Sequence, residues 1–291
     1  MNKPAQYSVK YENRGAGLTE IPPSLFQNTD LIILSVGNNQ IEELPSQIQN
    51  FRKLRKLYLD NNQIKEIPVD ISKLKRLGII DLAENELQNI PSEINELDDL
   101  KILYLHGNKL KSLPEDMHGL RNLMYLNLSD NLFEELPESI SHLQSLKEFR
   151  CYNNQITSVP DSFSKLSNII ELHFRNNKIA RLPENIGNLR TLKKLKLREN
   201  KLKSLPTSIG KLTSLNELQL RNNELTSIPD SITELKKLTN LDLRGNKLET
   251  LPKGLETLPK LEKIDLRWNN KLEFIPSGLK ALDRRGCLVY Y

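Results

Sequence analysis

The sequence is poor in most of what catalysis, a disulfide framework or an aromatic core would require. Aromatic residues make up 5% of its 291 positions, with one tryptophan, four histidines and two cysteines. Two cysteines exclude the cross-linked framework of small secreted domains. The histidines, His106, His118, His142 and His173, have no cysteine or carboxylate set near them at metal-ligand spacing, so neither a metal nor a cofactor is expected. The twelve glycines are scattered or sit at turns, which excludes a glycine-rich phosphate loop. No apolar run is long enough to span a bilayer, and residues 1–25 lack the apolar stretch of a secretory signal. A soluble, cytoplasmic chain is the expectation, with a secreted or cell-surface setting as the alternative if a signal was removed ahead of Met1. Net charge is +5, from 42 Lys and Arg against 37 Asp and Glu, too balanced to mark a nucleic-acid binder.

What the sequence does have is an internal period. Asparagine recurs every 23 residues at Asn39, Asn62, Asn85, Asn108, Asn131, Asn154, Asn177, Asn200, Asn223, Asn246 and Asn269. Proline keeps the same step from Pro22 to Pro252 and arrives one residue late at Pro276. Around each asparagine lies L-x-x-L-x-L-x-x-N-x-L, as in Leu54, Leu57, Leu59, Asn62 and Ile64; x-x-L-P-x-x-I-x-x-L follows, as in Leu205, Pro206, Ile209 and Leu212. Alternating leucines place one face of a short strand in a core and the other in solvent. An asparagine amide donates and accepts at once, so a stack of them can satisfy backbone groups where the chain turns off the strand. Proline suits an extended or turning segment on the outer side.

These motifs resemble the leucine-rich-repeat family, in the 23-residue class found in bacterial proteins and in intracellular Ras-group scaffolds. The resemblance runs from Leu18 nearly to the C-terminus. It implies an α/β solenoid, a curved horseshoe with a parallel sheet on the concave face and short helical or irregular segments on the convex face. A single domain is expected over 1–291: an N-terminal cap and partial repeat at 5–30, eleven repeats at 31–276, and a C-terminal cap at 277–291. Residues 5–14, with Tyr7, Val9 and Tyr11 alternating, read as a capping strand, and Cys287 to Tyr291 as a closing one. Cys151 stands in a core leucine position, where a thiolate is disfavoured. Asp81, Asp242 and Asp265 share one strand position without a catalytic partner. The expectation is therefore not an enzyme but a monomeric module that binds another protein; the alternative is a bacterial host-interaction or adhesion protein that binds a host protein or glycan.

Binding is expected on the variable strand positions that face solvent. In the N-terminal half these hold Ile33, Tyr58, Ile79, Ile102, Tyr104, Tyr125 and Tyr152, a set that suits an interface core and equally suits cross-strand packing. Arg150 and His173 follow in the strand-centre column. The C-terminal half stacks Arg175, Arg198, Arg221, Arg244 and Arg267 in one column. Glu171, Glu217, Asp242 and Asp265 lie in adjacent columns and could pair with that ladder. Lys194 and Lys196 share a strand with Arg198, and no carboxylate occupies those columns in that repeat, so positive charge is expected to peak there and to favour a partner with an acidic surface. Trp268, beside Arg267, could stack on a base or anchor a protein loop, or simply pack on its neighbours.

Overall fold

The structure, a computed structural model, describes residues 9–272 and 277–291. The chain falls into two compact units divided after Leu132, and both follow one plan.

In each repeat the L-x-L step makes a three-residue strand. In Lys56–Tyr58, Leu57 and the following Leu59 are fully buried while Lys56 and Tyr58 face outward. The first unit carries β1 (Lys10–Glu12), β2 (Ile33–Ser35), β3 (Lys56–Tyr58), β4 (Ile79–Asp81), β5 (Ile102–Tyr104) and β6 (Tyr125–Asn127). Consecutive strands pair in parallel, each residue opposite the one 23 positions on, as in Ile33↔Lys56↔Ile79↔Ile102↔Tyr125. Of the capping strand expected at 5–14, Lys10–Glu12 forms β1 and pairs Tyr11 with Leu34; residues 5–8, Tyr7 among them, lie outside the described residues. The second unit carries β7 (Glu148–Arg150), β8 (Glu171–His173), β9 (Lys194–Lys196), β10 (Glu217–Gln219), β11 (Asn240–Asp242), β12 (Lys263–Asp265) and β13 (Leu288–Tyr290), again parallel in chain order.

The closing strand is as expected, with Lys263 opposite Leu288, 25 residues on. The extra length accommodates an element the repeat pattern does not announce, the α-helix α1 (Ser277–Arg284). Pro276 lies outside the described residues.

Each turn off a strand is held by the asparagine amide. Asn200 accepts from the Ile179 N–H at 3.0 Å and donates to the carbonyls of Phe174 and Leu197 at 2.9 and 3.0 Å. The same three offsets, back by 21, 26 and 3 residues, recur at Asn62 and Asn108 in the first unit and at Asn177, Asn223 and Asn246 in the second. One side chain thus closes its own turn and ties it to the preceding repeat. The residue before each ladder asparagine is left-handed, with φ between 52° and 68° at positions that include Asn61, Glu84, Gly107, Glu199, Gly245 and Trp268. On the outer side most prolines open a short 3₁₀ turn. At Pro68, φ is −68° and the carbonyl accepts from the Ile71 N–H at 3.0 Å. The ring fixes the backbone angle the turn needs, at a position that requires no N–H.

The core is leucine and isoleucine, with Phe149, Phe163 and Phe174 packed at ring distances of 5.8 to 6.2 Å in the second unit. Cys151 is fully buried there, and burial pushes its thiol far above the ordinary range, which removes it as a nucleophile.

Candidate functional site

The solvent-facing side of the strands differs in chemistry between the two units.

In the first unit Ile79, Ile102 and Tyr125 stand in one row on consecutive strands. In the adjacent row Tyr58, Asp81 and Tyr104 stand opposite one another. Tyr104 and Tyr125 pack diagonally, ring centres 5.0 Å apart. Ile79, Ile102, Tyr58, Tyr104 and Tyr125 are therefore brought together, but each is only partly exposed rather than fully presented. Cross-strand packing covers their flanks and leaves their outward edges to solvent. Burial between the two tyrosine-bearing strands raises the Asp81 carboxyl above its ordinary value.

An ion pair absent from the sequence-level columns closes one end of this face. Arg14 makes paired hydrogen bonds to Asp60 at 2.7 and 2.6 Å. Arg14 stands one repeat before Gly37 in the same row, so the signal was available by extending the 23-residue column backwards past the first complete repeat.

In the second unit Arg150 donates to Glu148 at 2.6 Å. Tyr152 follows just past the end of β7 and is partly exposed. His173 corrects the expectation of a presented side chain: it is 9% exposed, with Nε2 3.0 Å from Glu171 Oε2. Burial lowers its pKa, so the ring is neutral near pH 7 and Nε2 carries the proton donated to the carboxylate. Lys194 takes the other Glu171 oxygen at 2.8 Å. Burial alone would raise the Glu171 carboxyl, but the hydrogen bonds from Lys194 and His173 outweigh it and the pKa is lowered. Glu148, Glu171 and His173 present donor atoms within 4.8 Å of one another. Those oxygens already accept from Arg150, Lys194 and His173.

The arginine column is answered unevenly by carboxylates. The positive charge around Arg198 is relieved only in part: Lys194 reaches Glu171 on the preceding strand, and the single carboxylate of Glu199 sits between two arginines, its oxygens 3.4 Å from the Nε atoms of Arg175 and Arg198. Of the four carboxylates in adjacent columns that could pair with the ladder, Asp265 alone meets an arginine side chain of it within 4 Å among the described residues, holding Arg267 at 3.0 and 2.6 Å. Burial would raise the Asp265 carboxyl, yet the Arg267 guanidinium and backbone N–H hold it below its ordinary value.

Arg221 and Arg244 have no carboxylate at ion-pair distance among the described residues. Their guanidinium carbons instead lie 5.8 and 5.2 Å from the centre of the Trp268 ring. Trp268 is 63% exposed and sits in the left-handed turn at φ 62°. That conformation costs a residue with a Cβ about 1 kcal/mol or more, and it is what carries the indole back over the two arginines before it. Lys263 and Arg267 lie 5.4 and 4.8 Å from the Tyr290 ring in the same way.

The period, the asparagine ladder and the parallel strands define a repeat protein whose variable chemistry sits on the strand face. Two family descriptions match: "Leucine-rich repeat region" at residues 70–172, 111–200 and 171–273, and "Leucine rich repeat" at 14–64. The chain belongs to the leucine-rich-repeat family. Proteins of this fold are generally protein-binding modules, and no enzyme family is indicated.

Among solved structures, a leucine-rich-repeat protein of Leptospira interrogans is 30% identical, with 94% of this chain and 82% of that one covered and a TM-score of 0.66. An internalin of Listeria monocytogenes shares the fold at 22% identity, with 92% and 87% covered and a TM-score of 0.66. The plant peptide hormone receptor RGFR1, solved in complex with RGF2, is 27% identical over 85% of this chain, which spans 49% of the receptor chain, with a TM-score of 0.65. A search of curated proteins gave no match. Among the described residues, no helix is long and apolar enough to cross a membrane.

Proposed function

We propose that the chain is a non-enzymatic recognition module that binds a partner protein on the solvent-facing side of its strands. The observation that carries this reading is the row Ile79, Ile102 and Tyr125 with Tyr104 packed against it, an apolar and aromatic surface on a face otherwise free to be polar. Tyrosine offers a large contact area with little rotamer loss and a hydroxyl for hydrogen bonding. The parallel ladder holds these side chains in place before any encounter, which lowers the ordering cost of association. The receptor solved in complex with RGF2 offers a precedent for ligand recognition by a protein with a similar fold. In the second unit Arg150, Tyr152, His173, Arg175, Lys194 and Arg267 lie on or beside that unit's own strands, where ion pairs hold most of them in place.

Affinity capture from the native cell and its surroundings, run in parallel with wild-type protein and a Tyr104→Ala, Tyr125→Ala double variant, tests the reading. A partner held by the wild type and lost by a variant with an unchanged circular dichroism spectrum is the expected result. Equal retention by both would remove the aromatic face as the binding surface.

A further inference from the structure

The arginine column is unevenly answered. Glu199 serves Arg175 and Arg198, and Asp265 serves Arg267. The Nε atoms of Arg198, Arg221 and Arg244 are nevertheless shut off from solvent without a hydrogen bond. Lys196, in register between His173 and Gln219, makes no ion pair among the described residues. Like charges repeated at the strand spacing of ~4.8 Å repel one another, so three consecutive repeats hold cationic groups with more charge than the chain itself neutralises.

Trp268 sets their orientation. An indole beside a guanidinium attracts and restrains it, and with Nε enclosed the two terminal Nη groups of each partly exposed arginine remain as the fork that meets a carboxylate end-on. With Arg221 and Arg244 both against one ring, their edges are held ready. We propose that Arg198, Arg221 and Arg244, with Lys196 beside them and Trp268 holding the latter two arginines, form a site for the carboxylates of an acidic segment of a partner protein. This rests on the recognition role assigned above and gives the partner a chemistry. A protein carboxylate suits the site better than a nucleic acid. Both the Trp268 and the Tyr290 rings already face cations where a base would stack.

Trp268 is the chain's one tryptophan, so its fluorescence reports on the site directly. Titration with octaglutamate at low salt is expected to give a saturable change in emission, with an affinity that falls as salt rises; octaglutamine is expected to give none. Arg221→Gln with Arg244→Gln should weaken octaglutamate binding at least tenfold. Trp268→Asn, which places at this turn the residue found at Asn61 and Asn222, keeps the backbone favourable and should also weaken binding when followed by calorimetry. The Tyr104→Ala, Tyr125→Ala variant should bind octaglutamate like the wild type. No saturable change with octaglutamate, or binding indifferent to the arginine substitutions, would overturn the site. An eight-nucleotide oligothymidylate bound as tightly as octaglutamate would overturn the protein partner in favour of nucleic acid. A captured partner that needs Tyr104 and Tyr125 but ignores Arg221 and Arg244 would leave the recognition role standing and remove the carboxylate site alone.

Discussion

Arg14 and Asp60 meet 46 residues apart in the chain, across the backbone of Gly37, in two hydrogen bonds that match guanidinium fork to carboxylate. A Cβ on Gly37 would overlap both the guanidinium and the carboxylate, so the glycine serves by leaving space. Gly37→Ala is expected to destabilise by about 0.5–1 kcal/mol, a modest loss because Arg14 is partly solvent-screened. In an Arg14→Ala background the same change should cost less. A double-mutant cycle by urea denaturation checks the coupling, and full additivity would show that the glycine is not clearing a path for the pair.

Asn200 offers a sharper test of the ladder. Replacing it with alanine leaves the Ile179 N–H and the carbonyls of Phe174 and Leu197 without their side-chain partner inside the protein. Roughly 2–4 kcal/mol should be lost, since unmade hydrogen bonds to buried groups carry their desolvation cost. The amide of Ile179 should exchange with solvent faster than in the wild type. A loss under about 0.5 kcal/mol would mean that water replaces the asparagine at little cost.

His173 and Glu171 give the fold a pH dependence in two windows. The folded imidazole has a pKa below its ordinary 6.5, so between the two values the unfolded chain binds a proton that the folded chain does not. Stability should therefore fall as pH drops below 6.5 toward the folded value. Glu171 has a folded pKa below its ordinary 4.5, so its contribution is present above 4.5 and is lost as pH falls through the folded value. Melting temperatures against pH for wild type and His173→Gln should diverge in the upper window, the variant losing less on acidification. Parallel curves would assign the pH dependence to other groups.

The strands and their register were readable from Leu57, Leu59 and Asn62 because alternation and repetition are properties of sequence spacing. The row that joins Ile79, Ile102 and Tyr125 was readable for the same reason. Glu199 and Trp268 show where such reading stops. Both occupy left-handed turn positions outside the strand columns and reach arginines of earlier repeats, Glu199 to Arg175 and Trp268 to Arg221 and Arg244. A column scheme that assigns each residue to a face has no place for such a return. His173 was placed on the correct strand, but the sequence does not reveal that its ring is buried and bonded to Glu171. Helix α1 was unmarked because it lies beyond the last full period, where there is no neighbouring copy to align it with.

The fixed offsets of the asparagine amides also bear on how a chain of this kind can change length. Within either unit, excision or duplication of one 23-residue segment at equivalent points would present each remaining amide with a backbone N–H and carbonyls at the same separations as before. Unequal exchange between neighbouring copies can therefore add or remove one strand with its surface side chains while every surviving turn keeps its partners. The unit of inheritance and the unit of hydrogen bonding coincide, and new binding surfaces can be assembled by shuffling strands without first repairing a core.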